Sequence, residues 1–152
     1  MLKTIFGFRY NDCDDFKKRV KNKNLAAIVI EGCRFQNPNR KFVREINKFC
    51  KINNVCLIVD EITSGWRSTI GGVYKKFGLK PDIVIYGKAL GNGYAINAVV
   101  GREEIMKEAS STFISSTFWT ERIGSTAAIA TLNQMEKMKS WKIVTENGKN
   151  IK

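Results

Sequence analysis

The sequence predicts an α/β fold: a mostly parallel β-sheet flanked by helices. Three observations carry that prediction. Short runs of continuous apolar residues ("LAAIVI", "CLIV", "DIVIY") are bounded by turn-forming residues, as strands covered on both faces are. Segments of helical period separate them, the alternation of βα units. At 152 residues with 43% hydrophobic side chains, the chain suits one domain with a single packed core.

The elements follow in order. "TIFGF" is a possible edge strand. "DCDDFKKRVKNKN" supplies Asp residues for an N-cap, then Phe16 and Val20 four apart, and predicts a short helix. "LAAIVIE" (25–31) is a buried-type strand ending in Glu31, followed by the loop "GCRFQNPN". Over 40–52 the apolar positions Phe42, Val43, Ile46, Phe49 and Cys50 mark one helical face. "VCLIVD" (55–60) is a second strand, ending in Asp60. "GGVYKKFG" is a short helix, "DIVIYG" a third strand leading into Lys88, and "INAVVG" (96–101) a fourth. "REEIMKEA" and "TAAIATLNQMEKM" (126–138) are helical, and a basic tail follows.

Composition excludes several chemistries. There is no histidine, so Ser-His and Cys-His nucleophile pairs and histidine metal sites cannot be built from this chain. Cys13, Cys33, Cys50 and Cys56 form no C-x-x-C pair, against a zinc or redox motif; Cys50 and Cys56 sit in apolar patterns as small core residues. The aliphatic runs are too short to cross a bilayer. The N-terminal stretch lacks the apolar core and cleavage site of a secretory signal, so a cytoplasmic protein with free thiols is expected. The net charge of +12 is spread along the chain without a nucleic-acid reading motif or interleaved aromatics. It reads as lysine-rich solvated faces, with neither nucleic acid nor membrane as partner.

Ligands of parallel sheets gather beyond the carboxyl ends of the strands. Glu31, Asp60 and Lys88 each stand at or just past such an end, so three ionisable residues reach one rim. Spacing alone leaves each open. Lys88, flanked by Gly87, Gly91 and Gly93, is either an ion-paired rim lysine or a free amine able to form a Schiff base with a carbonyl. Asp60 either caps the next turn or holds a positively charged ring nitrogen. Glu31 reads as structural. Two nucleotide motifs fail: in "GKALGNGY" the lysine precedes the loop, and "GNGYAI" lacks the third glycine of G-x-G-x-x-G.

"LIVDEITSGWR" followed by "GLKPDIVIYGKALGNGYAINAVVGREEIM" resembles the class III (subgroup II) pyridoxal-phosphate aminotransferases. That family's signature is an Asp-Glu pair after an apolar strand, then G-[FW]-R, P-D and G-K-[AS]-[IL]-G-x-G. Asp60 and Lys88, 28 residues apart, fit its interval, and "SSTFWTERIGSTAAIATL" is similar to the branch near glutamate-1-semialdehyde 2,1-aminomutase. The resemblance implies a transaminase or aminomutase-like enzyme with pyridoxal 5'-phosphate as cofactor and a small-molecule amino donor and carbonyl acceptor as substrates. Lys88 is then the Schiff-base lysine and Asp60 the partner of the pyridinium nitrogen. Ile62 packs on one ring face, and Thr117 donates to the cofactor phosphate, in the family usually that of the neighbouring subunit of a homodimer. Glu31 falls where the family has Glu-Pro, but Gly32 stands in place of the proline. After Thr117 the family's Gly-Asn-Pro is replaced by Glu121-Arg122-Ile123.

The resemblance also sets an expectation for the domain. Residues 1–152 correspond to part of the large cofactor-binding domain of fold type I, with the upstream phosphate-loop segment and the C-terminal small domain outside the chain. The runner-up is a truncated, non-catalytic remnant, or a subunit active only with a partner chain.

Overall fold

The computed structural model describes residues 4–33 and 35–151; positions 1–3 and 152 of the termini and position 34 of the expected loop lie outside the described residues. Helix α1 (Cys13–Val20) leads into strand β1 (Ala27–Glu31), then α2 (Arg40–Asn53), β2 (Cys56–Asp60), α3 (Tyr74–Phe77) and β3 (Ile83–Tyr86). After a 3-10 turn at Lys88–Leu90 come β4 (Ala98–Gly101), α4 (Glu103–Met106), a second 3-10 turn, α5 (Arg122–Met138) and α6 (Ser140–Asn150). The sheet order is β1-β2-β3-β4, with the first three strands parallel and β4 antiparallel to β3. The mostly parallel expectation holds.

Local chemistry explains the boundaries. Asp12 caps α1 by accepting from the Asp14 and Asp15 N–H groups, and Asn39 caps α2 by accepting from Phe42 N–H at 2.8 Å. Helix α2 ends at Asn54, which takes the left-handed conformation (φ 51) and donates to the Cys50 carbonyl. The apolar face of α2 predicted by its spacing is buried, with Phe42 and Ile46 fully inaccessible. It joins Phe16 of α1 and Leu57 and Val59 of β2 in the main core. A smaller core links Val84, Tyr86, Leu90 and Ala128, and so ties α5 to the chain around Lys88.

Two expectations change. "TIFGF" is not an edge strand: it runs as irregular chain, because Phe8 packs edge-on against Phe16 (centroids 5.2 Å apart) and tilted against Phe42 (6.3 Å) instead of following a strand edge. The expected basic tail contains α6, which starts after the left-handed Lys139 (φ 51).

Candidate active site

Strand register brings the carboxyl ends together. Glu31 lies opposite Asp60, and Asp60 opposite Ile85, three residues before Lys88. Beyond β2, the Glu61 N–H donates to the Ile85 carbonyl at 2.8 Å, the Asp60 Oδ1 accepts from Ile62 N–H at 2.8 Å, and Gly65 N–H closes on the Glu61 carbonyl at 2.8 Å. The tight turn 60–65 that results carries both the acid and the residue that meets the amine. Lys88 Nζ donates to Thr63 Oγ1 at 2.7 Å.

Lys88 reaches that position through an unusual backbone. Its φ is +42, in the left-handed region, which costs a residue with a Cβ roughly 1–2 kcal/mol. The conformation is imposed from both sides. Leu90 is drawn into the smaller core, and the Leu90 and Gly91 N–H groups close on the Gly87 and Lys88 carbonyls. Gly87 has no room for a side chain: a Cβ there would press on the Asn97 carboxamide and lie 3.3 Å from Ile62 Cγ2. Ile62 therefore packs directly beside the lysine's neighbour.

Glu61, the second acid of the Asp-Glu pair, was given no role from the sequence and forms the buried base of this turn. It is fully buried (0% exposed), its Oε2 accepts from Ser64 Oγ at 2.6 Å, and its Oε1 accepts from Tyr74 N–H at 2.8 Å. The signal was present in strand alternation: Leu57, Val59 and Glu61 share one face and are all inaccessible, while Ile58 and Asp60 lie on the other and are half-buried. Tyr10, whose hydroxyl donates to the Glu31 carbonyl at 3.1 Å, is held protonated first by burial and then by the charges of Cys33, Glu31 and Glu61. Burial, with Glu61 and Glu31 behind it, likewise pushes the Cys33 thiol up.

Thus Asp60, Ile62 and Lys88 meet around one turn, and Thr63, unmarked by any pattern in the sequence, joins them. Glu31 stands at the same rim. Thr117 does not join: it lies in an exposed turn ahead of α5, and no hydrogen bond ties it to Asp60 or Lys88. A cleft of about 770 Å³ along the outer side of β1 touches Glu31 and Asp60 but not Lys88. Its walls, including Val29, Phe6 and Phe35, are those of an uncovered strand edge, so the rim and not this cleft is where the acid and amine converge. Among the described residues no group of three or more acidic or thiol side chains could hold a metal ion.

Residues 10–152 match the family described as Aminotransferase class-III. The chain belongs to that family. It is 37% identical to a 3-aminobutyryl-CoA aminotransferase of Cloacimonas acidaminovorans (strain Evry), over 98% of this chain and 38% of that protein. It is 38% identical to a glutamate-1-semialdehyde 2,1-aminomutase of Nitrosopumilus maritimus (strain SCM1), over 87% of this chain and 33% of that one. The chain therefore spans 33–38% of the length of these two relatives. Among solved structures, the PLP internal aldimine form of the Sphingopyxis sp. MTA144 FumI protein superposes with a TM-score of 0.79 at 27% identity, covering 85% of this chain and 33% of that one. An ornithine delta-aminotransferase of Plasmodium falciparum, at 24% identity and a TM-score of 0.76 over 86% of this chain and 36% of that one, shares the fold. The four-stranded sheet and its helices are thus part of a fold type I domain.

Proposed function

We propose that this chain forms the cofactor-binding part of a pyridoxal-phosphate enzyme that transfers an amino group between small molecules, as a transaminase or an aminomutase. The observation that carries the reading is the turn 60–65, which takes hold of the Asp60 carboxylate through Ile62 N–H and of the Lys88 amine through Thr63. An acid and an amine are thereby held at one strand-end rim of a class-III chain.

The residues present fit the cofactor. Asp60 spends one carboxylate oxygen on Ile62 N–H and leaves the second without a donor among the described residues, free for a protonated ring nitrogen. Among those residues no ion pair engages Lys88, so its amine is available to hold the cofactor covalently and to move a proton at the substrate carbon. Ile62, fixed beside Gly87, offers an apolar surface for a ring face. When bound, the cofactor supplies an electron sink for a substrate carbanion, and the carboxylate of Asp60 keeps that sink protonated. Thr117, exposed on its turn, is assigned to the phosphate of a neighbouring subunit in a homodimer.

The test is spectroscopic. Purified chain mixed with pyridoxal 5'-phosphate should develop the yellow absorbance of a lysine-bound cofactor, and Lys88→Ala should abolish it. Equal absorbance in the unaltered chain and the variant would remove Lys88 from the role.

A further inference from the structure

Resting on that assignment of Lys88, we propose that Thr63 is a positioning residue which gives the lysine amine one fixed address and keeps it there through a change of protonation. A lysine side chain has many rotamers, and an exposed amine without a partner would sweep through all of them. Here Nζ meets a single hydroxyl at 2.7 Å.

That hydroxyl is itself immobilised. Threonine is β-branched and stiff at χ1. Its carbonyl accepts from Arg67 Nε at 2.6 Å, and its turn is closed by the Gly65 N–H on the Glu61 carbonyl. The base of the turn is the buried Glu61 carboxylate, pinned by Ser64 and by Tyr74 N–H. The rigidity of the core is passed to the hydroxyl, and from the hydroxyl to the amine.

The choice of group matters as much as its placement. A hydroxyl accepts from an ammonium and donates to a neutral amine, so the contact survives when the lysine gives up its proton. A carboxylate in the same place could only accept and would favour the charged, unreactive form. No carboxylate forms an ion pair with Lys88 among the described residues, whose ion pairs lie elsewhere. The neighbouring turn thus offers the amine an uncharged partner compatible with nucleophilic use.

The experiment follows the amine directly, without turnover. The chain is exposed briefly to pyridoxal 5'-phosphate and then to borohydride. Nζ bonds to the aldehyde carbon, the carbonyl oxygen leaves as water, and hydride from borohydride reduces the carbon–nitrogen double bond to a stable amine. Peptide mass spectrometry then measures the initial labelling rate at Lys88 against that at Lys75 and Lys76. Thr63→Val, which keeps the shape and removes the hydroxyl, should lower the Lys88 rate about five- to tenfold, the worth of one hydrogen bond between neutral groups, since the neutral amine is the form that reacts. The rates at Lys75 and Lys76 should not change, and Thr63→Ser should return Lys88 to within about twofold of the unaltered chain. An unchanged Lys88 rate in Thr63→Val, or an equal loss in Thr63→Ser, overturns the positioning role while leaving the cofactor assignment intact. Absence of preferential labelling at Lys88 in the unaltered chain overturns both.

Discussion

Replacing Gly32 by alanine tests whether the buried carboxylate holds the rim together. A Cβ at Gly32 would lie 2.5 Å from Glu61 Oε1 and 2.8 Å from its Cδ, about 1 Å inside ordinary contact distance. The carboxylate cannot move aside without giving up a hydrogen bond. Both of its oxygens are committed, Oε2 to the Ser64 hydroxyl and Oε1 to the Tyr74 N–H. Relief therefore requires breaking at least one of those bonds, worth about 1.5–3 kcal/mol for a charged acceptor. Overpacking adds about 1–3 kcal/mol where the backbone absorbs the remainder. The expected loss is about 4 kcal/mol, or a fall in melting temperature of roughly 8–16 °C for a domain of this size. Thermal melts followed by circular dichroism would measure it. Gly7→Ala is the control, since nothing lies within 4 Å of that position and its backbone is unstrained, and it should melt with the unaltered chain. If Gly32→Ala melts within about 2 °C of the unaltered chain, the Glu61 side chain is not the fixed base described above.

Two further outcomes follow from side-chain electrostatics. Cys50, whose thiol burial pushes up to about 12 with help from the Asp82 carboxylate, should escape alkylation at pH 8 in the folded chain and react only on unfolding; rapid labelling of native protein would contradict its place in the core. Asp15 is held below the usual carboxylate range, first by the Arg9 N–H at 2.8 Å and then by Arg19. Its contribution is present above the unfolded-state value and lost as pH falls through the folded one, so Asp15→Asn should destabilise the chain at pH 7 by an amount that shrinks on acidification. A difference in urea midpoint that stays constant with pH would argue against that pairing.

Much of this architecture was legible because the signals were local. The three continuous apolar runs became β1 to β3, the expected fourth strand in "INAVVG" became β4, and the apolar stripe of 40–52 became the buried face of α2. The carboxyl-end rule placed Glu31, Asp60 and Lys88 on one rim, where register sets them. What escaped the reading depends on tertiary direction. Phe6 and Phe8 have strand propensity, yet Phe8 serves the α1–α2 packing. Helix α6 carries Gly148 among polar and basic residues and buries no side chain fully, so neither propensity nor periodicity announced it. Thr63 has no sequence signal at all, because only the fold of its turn sends the hydroxyl to Lys88. The role of Thr117 rests on family resemblance, and nothing in its exposed turn adds to that.

The consecutive acids Asp60 and Glu61 show how a two-residue period divides labour. A strand turns successive side chains to opposite faces, so one acid of the pair had to enter the core if the other was to stand at the rim. A buried charge is tolerated only when hydrogen bonds satisfy it, and Ser64, the Tyr74 N–H and the two side-chain-free glycines beside the carboxylate are the local sequence that makes this possible. Once satisfied, the inner acid becomes a rigid post from which the turn is hung. The outer acid, Ile62 and Thr63 then take their positions relative to Lys88 from the core itself and not from a flexible loop. An arrangement in which the amine and the acid must keep one spacing gains from such a post, and a deep inner acid is worth its desolvation only if that spacing matters.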